Sequence, residues 1–187
     1  METPRLVSTT GYPSAGKSFV ANYLCEEYGF TKISSDDLRD SLYSRDFIQL
    51  KEEANGELKE NLIWNILHNA KFLNIYHGLD TILDITAKND EIRKNILSTK
   101  TYEGELKADK YLLWIDATEE NIRKRNLQKN RTNDVFSEWK PEWENPKESN
   151  LYRLIRLENN TQRDQERIIK TLDKTFSRKG KFYTINK

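Results

Sequence analysis

Eight residues near the start of the chain have the types and spacing needed to hold a nucleoside triphosphate. Residues 11–18, GYPSAGKS, match the pattern G-x-x-x-x-G-K-[ST] at every fixed position. Two glycines permit backbone torsions that turn successive amide groups inward, and the following helix adds its positive end. Lys17 is expected to reach the outer phosphates as a catalytic group, and Ser18 to ligate magnesium. The residues predicted to contact ATP are Gly11, Pro13, Ser14, Ala15, Gly16, Lys17, Ser18 and Phe19.

This loop predicts ATP and Mg²⁺ as the bound groups, and its alternative is a glycine turn that merely precedes a helix. The match lies between a predicted strand and a predicted helix, as phosphate binding requires. It also uses two of the seven glycines in the chain. The context therefore favours nucleotide binding over a simple turn.

A carboxylate and an arginine follow the second predicted strand. Transfer of a phosphoryl group to an alcohol gains from a carboxylate that accepts the hydroxyl proton. Asp36 should lie on the same edge of the sheet as the phosphate loop, where ligands bind. Arg39 would share a helical face with Asp36, which pairs a catalytic base with an anion clamp. The alternative is that Asp36 or Asp37 only caps a helix beginning at Leu38.

Three segments together resemble the kinase domain of phage-type polynucleotide 5′-hydroxyl kinases and, more broadly, related P-loop kinases such as the seryl-tRNA kinases. They are the loop 11–18 with its Pro13, the segment 36–39, and the pair Arg125-Asn126. The resemblance implies that Asp36 is the general base and that Arg39 engages a phosphate of the acceptor. The likeness extends over residues 6–131, and its specific part lies in the first forty residues.

A further segment looks like the strand of the same family that ends in Asp-x-Thr near the acceptor and the magnesium ion. It comprises Leu83-Asp84-Ile85-Thr86 and is followed by Arg93. The resemblance implies that Asp84 and Thr86 bind substrate and that Asp84 also binds the metal. The family usually has asparagine after the threonine, where this chain has Ala87. The alternative is that Asp84 caps the next helix.

A cationic stretch follows the fourth predicted strand. Its basic residues are Arg123, Lys124, Arg125, Lys129 and Arg131. An arginine that closes over the transferring phosphoryl group stabilises the charge on its oxygens. Related kinases use lid arginines in this way, which favours Arg125 and Arg131 as catalytic residues. Because Glu119 and Glu120 lie one turn away, a solvated helix face is the alternative for any one of these arginines.

Residues 129–150 lack periodicity and are expected to form a lid. They contain Trp139 and Trp143, which could stack on a base or simply pack the lid onto the domain. A set of later arginines alternates with acidic residues and is expected on a solvated helix. These arginines are Arg153, Arg156, Arg163 and Arg167.

Short apolar runs alternating with helical stretches must position these residues. Strands are predicted at residues 6–10, 30–34, 81–85, 111–115 and 182–185. Helices are predicted at residues 19–28, within 47–76 with a break near Asn55 and Gly56, and at 151–176. This alternation predicts an α/β fold of the P-loop NTPase type. We expect one domain over residues 1–187, with a five-stranded parallel sheet covered by helices on both faces and the lid at 129–150.

Composition limits the partners and the compartment. Lys plus Arg is 31 and Asp plus Glu is 30, so a net charge of +1 predicts no general attraction to nucleic acid or membrane. A lone Cys25, with His68 and His77 outside any ligand-like cluster, disfavours disulfides and a structural metal. The sequence has no secretory or membrane-spanning pattern, which predicts the cytoplasm, or the host cytoplasm if the chain is phage-encoded.

Three functions remain open from the sequence. The leading interpretation is a kinase that uses ATP and Mg²⁺ to phosphorylate a hydroxyl of a nucleic acid, at a 5′ end or on a modified base or aminoacyl group. The second is a nucleotide or other small-metabolite kinase, whose lid tryptophans could close a pocket around one base. The third is an ATP-hydrolysing switch protein, which is disfavoured because the third strand ends in Leu83-Asp84 without an acidic neighbour and Asn-Lys-x-Asp is missing.

Overall fold

The computed structural model describes residues 2–44, 49, 53, 55–129 and 135–177. The strands in this described part are β1 (Arg5–Thr10), β2 (Thr31–Ser34), β3 (Thr81–Asp84), β4 (Lys100–Thr101), β5 (Gly104–Glu105), β6 (Asp109–Asp116) and β7 (Arg153–Glu158). The α-helices are α1 (Lys17–Tyr28), α2 (Ser35–Tyr43), α3 (Gly56–Tyr76), α4 (Asp90–Leu97), α5 (Glu119–Gln128), α6 (Val135–Trp139) and α7 (Gln162–Phe176), and a 3₁₀ turn spans Lys140–Glu142. Within these residues no helix combines the length and the apolar character needed to cross a membrane.

The main sheet contains five parallel strands in the order β2-β3-β1-β6-β7. β1 lies at the centre, and all six of its residues are buried. The short strands β4 and β5 form a separate antiparallel pair. The prediction of an α/β fold with a five-stranded parallel sheet is therefore confirmed. Because the five strands run in the same direction, the segments that follow them meet at one edge of the sheet.

Two apolar clusters cover the two faces of this sheet. One cluster brings Val7 of β1 together with Leu24 of α1 and Phe176 of α7. The other brings Leu6 together with Leu67 of α3. Leu6 and Val7 are neighbours in sequence, and successive side chains of a strand point to opposite faces. Helices consequently pack on both faces of the sheet.

The fifth strand of the sheet is β7, and the helix predicted for residues 151–176 is wrong over its first part. β7 pairs with β6 from Tyr111 beside Arg153 to Asp116 beside Glu158. Arg153 and Arg156 are therefore strand residues and do not lie on a helix. The strand predicted at 182–185 lies outside the described residues. Branched residues such as Ile155 favour a strand, and tertiary pairing with β6 overrides the charged pattern that suggested a helix.

The start of the last helix is set by a capping box. Thr161 accepts a hydrogen bond from the backbone nitrogen of Asp164, whose side chain accepts from the backbone of Thr161 in return. Such a reciprocal pair satisfies two backbone donors that the first helical turn leaves free. α7 accordingly begins at Gln162, about ten residues later than the sequence pattern predicts.

Two other helix starts exclude capping roles for the candidate aspartates. The side chain of Ser34 accepts from the backbone nitrogen of Asp37 at 3.1 Å, and α2 begins directly after Ser34. The alternative of an aspartate capping a helix that begins at Leu38 is therefore wrong. α4 is capped by Asn89, which also excludes the alternative in which Asp84 caps this helix.

Candidate functional site

The loop between β1 and α1 has a backbone that requires glycine at two positions. The φ angles are 151° at Gly11 and 109° at Gly16, both in the region that L side chains rarely adopt. A Cβ atom on Gly11 would lie 2.5 Å from the backbone oxygen of Ile115. A Cβ atom on Gly16 would lie 2.2 Å from Nδ2 of Asn159. The loop is thus packed closely against the ends of β6 and β7, and Gly16 leads directly into the amino terminus of α1.

Lys17 opens α1 and its side chain turns back across the loop. Its Nζ donates to the carbonyl oxygens of Gly11 and Tyr12, both at 3.0 Å. Ser18 and Phe19 follow on the exposed first turn of α1 and line the same cavity as Lys17. These residues fit a bound triphosphate, because they combine a glycine cradle, a helix amino terminus and an ammonium group. The hydroxyl of Ser18 is a suitable magnesium ligand beside them.

Side chains from α5 and from the residue that follows β7 stabilise the phosphate loop through hydrogen bonds. Arg125 donates to the carbonyl oxygens of Ala15 at 3.1 Å and Asn159 at 2.7 Å, and burial lowers its pKa. Asn159 donates from Nδ2 to the same Ala15 oxygen at 2.7 Å. Asn126 accepts from the hydroxyl of Ser14 at 2.5 Å. The conformation of the loop therefore depends on these long-range contacts as well as on its glycines.

Of the two arginines predicted as catalytic, the structure describes one. Arg125 lies against the backbone of the phosphate loop, whereas Arg131 lies outside the described residues. Arg123 forms an ion pair with Glu119 at 2.8 Å on the surface of α5, in agreement with the solvated alternative for this residue. Of this cationic cluster, Arg125 and Lys129 line the cavity.

Asp36 and Arg39 form an ion pair on the first turn of α2. Nη1 of Arg39 donates to Oδ1 of Asp36 at 2.7 Å and to the hydroxyl of Ser35 at 3.2 Å. Nε of Arg39 donates to Glu60 of α3 at 2.9 Å, and Nη2 binds the other carboxylate oxygen of Glu60. Burial alone would lower the pKa of Arg39, but the hydrogen bond and charge of Glu60, together with Asp36, raise it. The guanidinium is buried, while the Asp36 side chain remains 81% exposed.

Asp84 and Thr86 lie at the end of β3, beside the turn that carries Asp36. Asp84 is paired in register with Ser34 of β2, the residue that caps α2. Its carboxylate is buried, and Oδ1 lies 3.5 Å from the hydroxyl of Thr9. Thr86 and Asp84 both line the cavity that contains the phosphate loop. The structure thus brings these two residues together with Asp36 and with the loop.

An open cavity of about 1310 Å³ runs along this edge of the sheet. Lys17 and Ser18 line one part of it, Asp36 lines another, and Trp64 and His68 of α3 extend it further. Small-molecule sites usually occupy about 300–1,000 Å³. The cavity is therefore large enough to hold a nucleotide and a second molecule.

Lys71, which is buried, and His68, which is half-buried, form a close pair on α3 beside the cavity. Lys71 is fully buried, and its Nζ donates to the carbonyl oxygens of Ile96 at 3.0 Å and Ser98 at 2.8 Å. Burial lowers the pKa of Lys71 to about 8. Nδ1 of His68 lies 3.2 Å from this Nζ, and burial, then the charge of Lys71, lowers the pKa of His68 to about 4. His68 consequently presents a neutral imidazole to the cavity at pH 7.

Of the predicted lid at 129–150, the structure describes residues 129 and 135–150, and we call residues 135–145 the lid segment. The ring of Tyr12 stacks on Trp143 with centroids 4.4 Å apart and meets Phe136 at 4.6 Å. Trp139 lines the cavity. Packing onto the domain therefore accounts for Trp143, whereas the ring of Trp139 lies at the cavity with Nζ of Lys88 5.8 Å from its centroid.

Two residues of the site carry no recognisable signal in the sequence. Glu60 belongs to a helix with many charged residues, and its contact with Arg39 joins residues that are far apart along the chain. Asn159 follows β7, which the sequence pattern misassigns to a helix. A correct strand assignment would have located Asn159 at the ligand edge of the sheet.

Comparison with known proteins supports the fold. The family model described as AAA domain (AAA_33) matches residues 6–142. A sugar kinase from Janibacter sp. HTCC2649 is similar with 16% identity and a TM-score of 0.64, over 92% of this chain and 94% of that chain. A putative kinase from Chloroflexus aurantiacus J-10-fl is similar with 15% identity and a TM-score of 0.67, over 95% of this chain and 100% of that chain.

A chain of a Pnkp1/Rnl/Hen1 complex is also similar, with 19% identity and a TM-score of 0.55, over 67% of this chain and 40% of that chain. No curated protein sequence matches the chain significantly. At these identities the solved structures support the fold alone, and the narrower resemblance to phage-type polynucleotide kinases stays a prediction. The match over residues 6–142 covers most of the sequence, so the chain belongs to the AAA_33 family and has the fold of a P-loop kinase.

Proposed function

We propose that this chain is a kinase of the P-loop type that transfers the γ-phosphate of ATP to an alcohol. The observation that supports this proposal best is that Lys17, Ser18 and Asp36 line the same cavity. The carboxylate of Asp36 is exposed, and it lines the cavity that also contains the phosphate loop. A base in this position is what transfer to a hydroxyl group needs, whereas nucleotide binding alone does not require it.

In the proposed step, the acceptor hydroxyl oxygen forms a bond to the γ-phosphorus of ATP. The bond from that phosphorus to the β,γ-bridging oxygen breaks, and its electron pair leaves with ADP. The hydroxyl proton passes to the carboxylate of Asp36, which the guanidinium of Arg39 orients from 2.7 Å. Bound Mg²⁺, held by Ser18 and Asp84, would neutralise charge on the phosphate oxygens.

The other residues of the site support binding of the two substrates. We assign ATP binding to Gly11 and to residues 13–19, with Arg125 stabilising the loop through its contact with Ala15. We assign acceptor binding to Arg39, Asp84 and Thr86, which all line the cavity. Arg131 is retained as a proposed catalytic arginine on the basis of its place in the sequence.

The first candidate acceptor is a hydroxyl group of a nucleic acid. It is supported by Asp36 and Arg39 on one helical turn, because a guanidinium beside the base could contact a phosphate next to the acceptor hydroxyl. Lys88 and Lys129 also line the cavity and add positive charge to it. The lining carries as many acidic as basic side chains, so a polyanion would be recognised by particular cations and not by a general positive surface.

The second candidate acceptor is a small metabolite that carries a hydroxyl group. Arg39 already binds the carboxylates of Glu60 and Asp36, so a phosphate of the acceptor would have to compete with both. Trp64 and the neutral imidazole of His68 add an uncharged surface to the cavity. This surface would suit the ring of a sugar or a similar molecule.

Transfer of label from γ-labelled ATP with magnesium tests this function and separates the two acceptors. The panel contains 5′-hydroxyl DNA and RNA, hydroxymethylated DNA, tRNA, nucleoside monophosphates and uncharged sugars. We expect labelling of at least one acceptor by the natural protein and none by Lys17→Ala. Labelling of a polymer supports the first candidate, and labelling of small molecules alone supports the second. Release of labelled phosphate to water with no labelled acceptor would contradict the proposed function.

A further inference from the structure

Tyr12 contacts the phosphate loop through its backbone and the lid segment through its ring. Its carbonyl oxygen accepts from Nζ of Lys17 and from the backbone nitrogen of Ala15, each at 3.0 Å. Its ring stacks on Trp143 with centroids 4.4 Å apart and planes at 27°, and it also meets Phe136. Tyr12 therefore contacts both the phosphate loop and the lid segment.

Trp143 is also contacted by a buried arginine of α4. The guanidinium of Arg93 lies 5.2 Å from the centroid of the Trp143 ring. Arg93 is fully buried, and it donates to the carbonyl oxygen of Ala87 at 2.9 Å and to that of Glu144. A desolvated cation against an aromatic ring is a favourable contact. The lid segment is thereby held both by the phosphate loop and by α4.

This arrangement determines the position of two side chains that line the cavity. The backbone nitrogen of Glu144 donates to the carbonyl oxygen of Lys88 at 2.9 Å, and the side chains of Lys88 and Glu142 form an ion pair. Lys88 and Trp139 both line the cavity. Their placement thus depends on how the lid segment packs against Tyr12.

We propose that Tyr12 is a positioning residue for the transfer reaction, which seats the lid segment on the phosphate loop through Trp143. The proposal rests on the function proposed above. When Nζ of Lys17 turns from the Tyr12 carbonyl towards bound phosphates, that carbonyl loses one of its two donors and keeps the backbone nitrogen of Ala15, while the Tyr12 ring stays on Trp143. Through this contact, binding of the nucleotide changes the positions of Trp139 and Lys88.

Tryptophan fluorescence and transfer kinetics with MgATP test the proposal in Tyr12→Ala, Tyr12→Phe, Trp139→Phe and Trp143→Phe. We expect MgATP to change the emission of the natural protein, and Trp139→Phe, unlike Trp143→Phe, to remove most of that change. Tyr12→Ala should also lose it, and kcat for label transfer should fall tenfold or more while Kd for MgATP changes less than threefold. Tyr12→Phe should restore both readouts because it keeps the ring. Tyr102→Ala, at a tyrosine that is 97% exposed, is the matched control and should behave as the natural protein.

Each outcome bears on a distinct claim. If Tyr12→Ala keeps the emission change and the natural kcat, the positioning role is wrong while the proposed function stands. The same holds if Tyr12→Phe fails to restore what Tyr12→Ala loses. If Tyr12→Ala fails to fold, the loss of kcat in Trp143→Ala, with recovery in Trp143→Phe, decides the question. If the natural protein does not bind MgATP, the proposed function fails and this inference fails with it.

Discussion

The guanidinium of Arg39 lies between two carboxylates, 2.7 Å from Oδ1 of Asp36 and bound to both oxygens of Glu60. Asp36 is exposed to the cavity, whereas Arg39 is buried. Because Glu60 belongs to α3, this ion pair fixes the first turn of α2 against a second helix. The contact between Arg39 and Glu60 thus holds in place the guanidinium that orients the proposed base, Asp36.

Replacement of Glu60 should destabilise the protein through Arg39. Glu60→Ala leaves a buried guanidinium with Asp36 as its remaining carboxylate partner among the described contacts. We expect the free energy of unfolding to fall by about 2–4 kcal/mol, measured by urea denaturation. Glu57→Ala, at an exposed position on the same helix, should change it by less than about 0.5 kcal/mol. Equal effects of the two substitutions would rule out the proposed structural link.

Replacement by alanine should have different effects on MgATP binding at two glycines with positive φ. A Cβ on Gly16 would meet Nδ2 of Asn159 at 2.2 Å, whereas a Cβ on Gly29 meets nothing within 4 Å. We expect Gly16→Ala to weaken MgATP binding at least tenfold, measured by calorimetry. Gly29→Ala should cost about 1–2 kcal/mol of stability and leave MgATP binding unchanged. Natural MgATP affinity in Gly16→Ala would show that the loop does not need this close contact.

Arg125 should matter for nucleotide binding through the shape of the phosphate loop. Lysine cannot reproduce the forked contacts of Arg125 with the carbonyl oxygens of Ala15 and Asn159. We expect Arg125→Lys to raise Kd for MgATP by about tenfold, which corresponds to about 1.4 kcal/mol. Lys124→Gln, at an exposed position of the same helix, should change it by less than twofold. A natural affinity in Arg125→Lys would contradict the role assigned to this arginine.

The stability of the protein should depend on pH through His68. Burial, then the charge of Lys71, lowers the pKa of His68 from 6.5 to about 4. Between these values the unfolded chain binds more protons than the folded one, so the free energy of unfolding should fall as the pH drops through this range. His68→Gln should flatten the dependence between pH 4 and 6.5, measured by urea denaturation. His77→Gln, at an exposed position at the end of α3, is the control, and the same slope in both variants would contradict this assignment.

The part of the site that could be predicted from the sequence is the part formed by local segments. The phosphate loop and the turn that carries Asp36 each follow a short apolar strand, and glycine or capping residues mark where each strand ends. The periodicity of these segments and the spacing of their polar residues are visible without any long-range contact. Four of the five strands of the main sheet and the position of its ligand edge could therefore be predicted.

The rest of the site depends on contacts between residues that are far apart along the chain. The partner of Arg39 is Glu60, 21 residues away, and the partner of Ala15 is Asn159, 144 residues away. A single glutamate or asparagine has no periodic pattern that identifies its partner. β7 was not predictable for a related reason, because its alternating charges fit a helix until pairing with β6 fixes it as a strand.

The most direct test of the proposed mechanism is the rate of label transfer from γ-labelled ATP in Asp36→Asn, using the best acceptor of the panel. Asp37→Asn, which changes an exposed neighbour paired with Lys32, is the matched control. We predict that Asp36→Asn binds MgATP with a Kd within threefold of the natural protein and transfers label about a hundredfold more slowly or worse. Asp37→Asn should keep the natural rate. A folded Asp36→Asn protein that transfers label at the natural rate would contradict the assignment of Asp36 as the base.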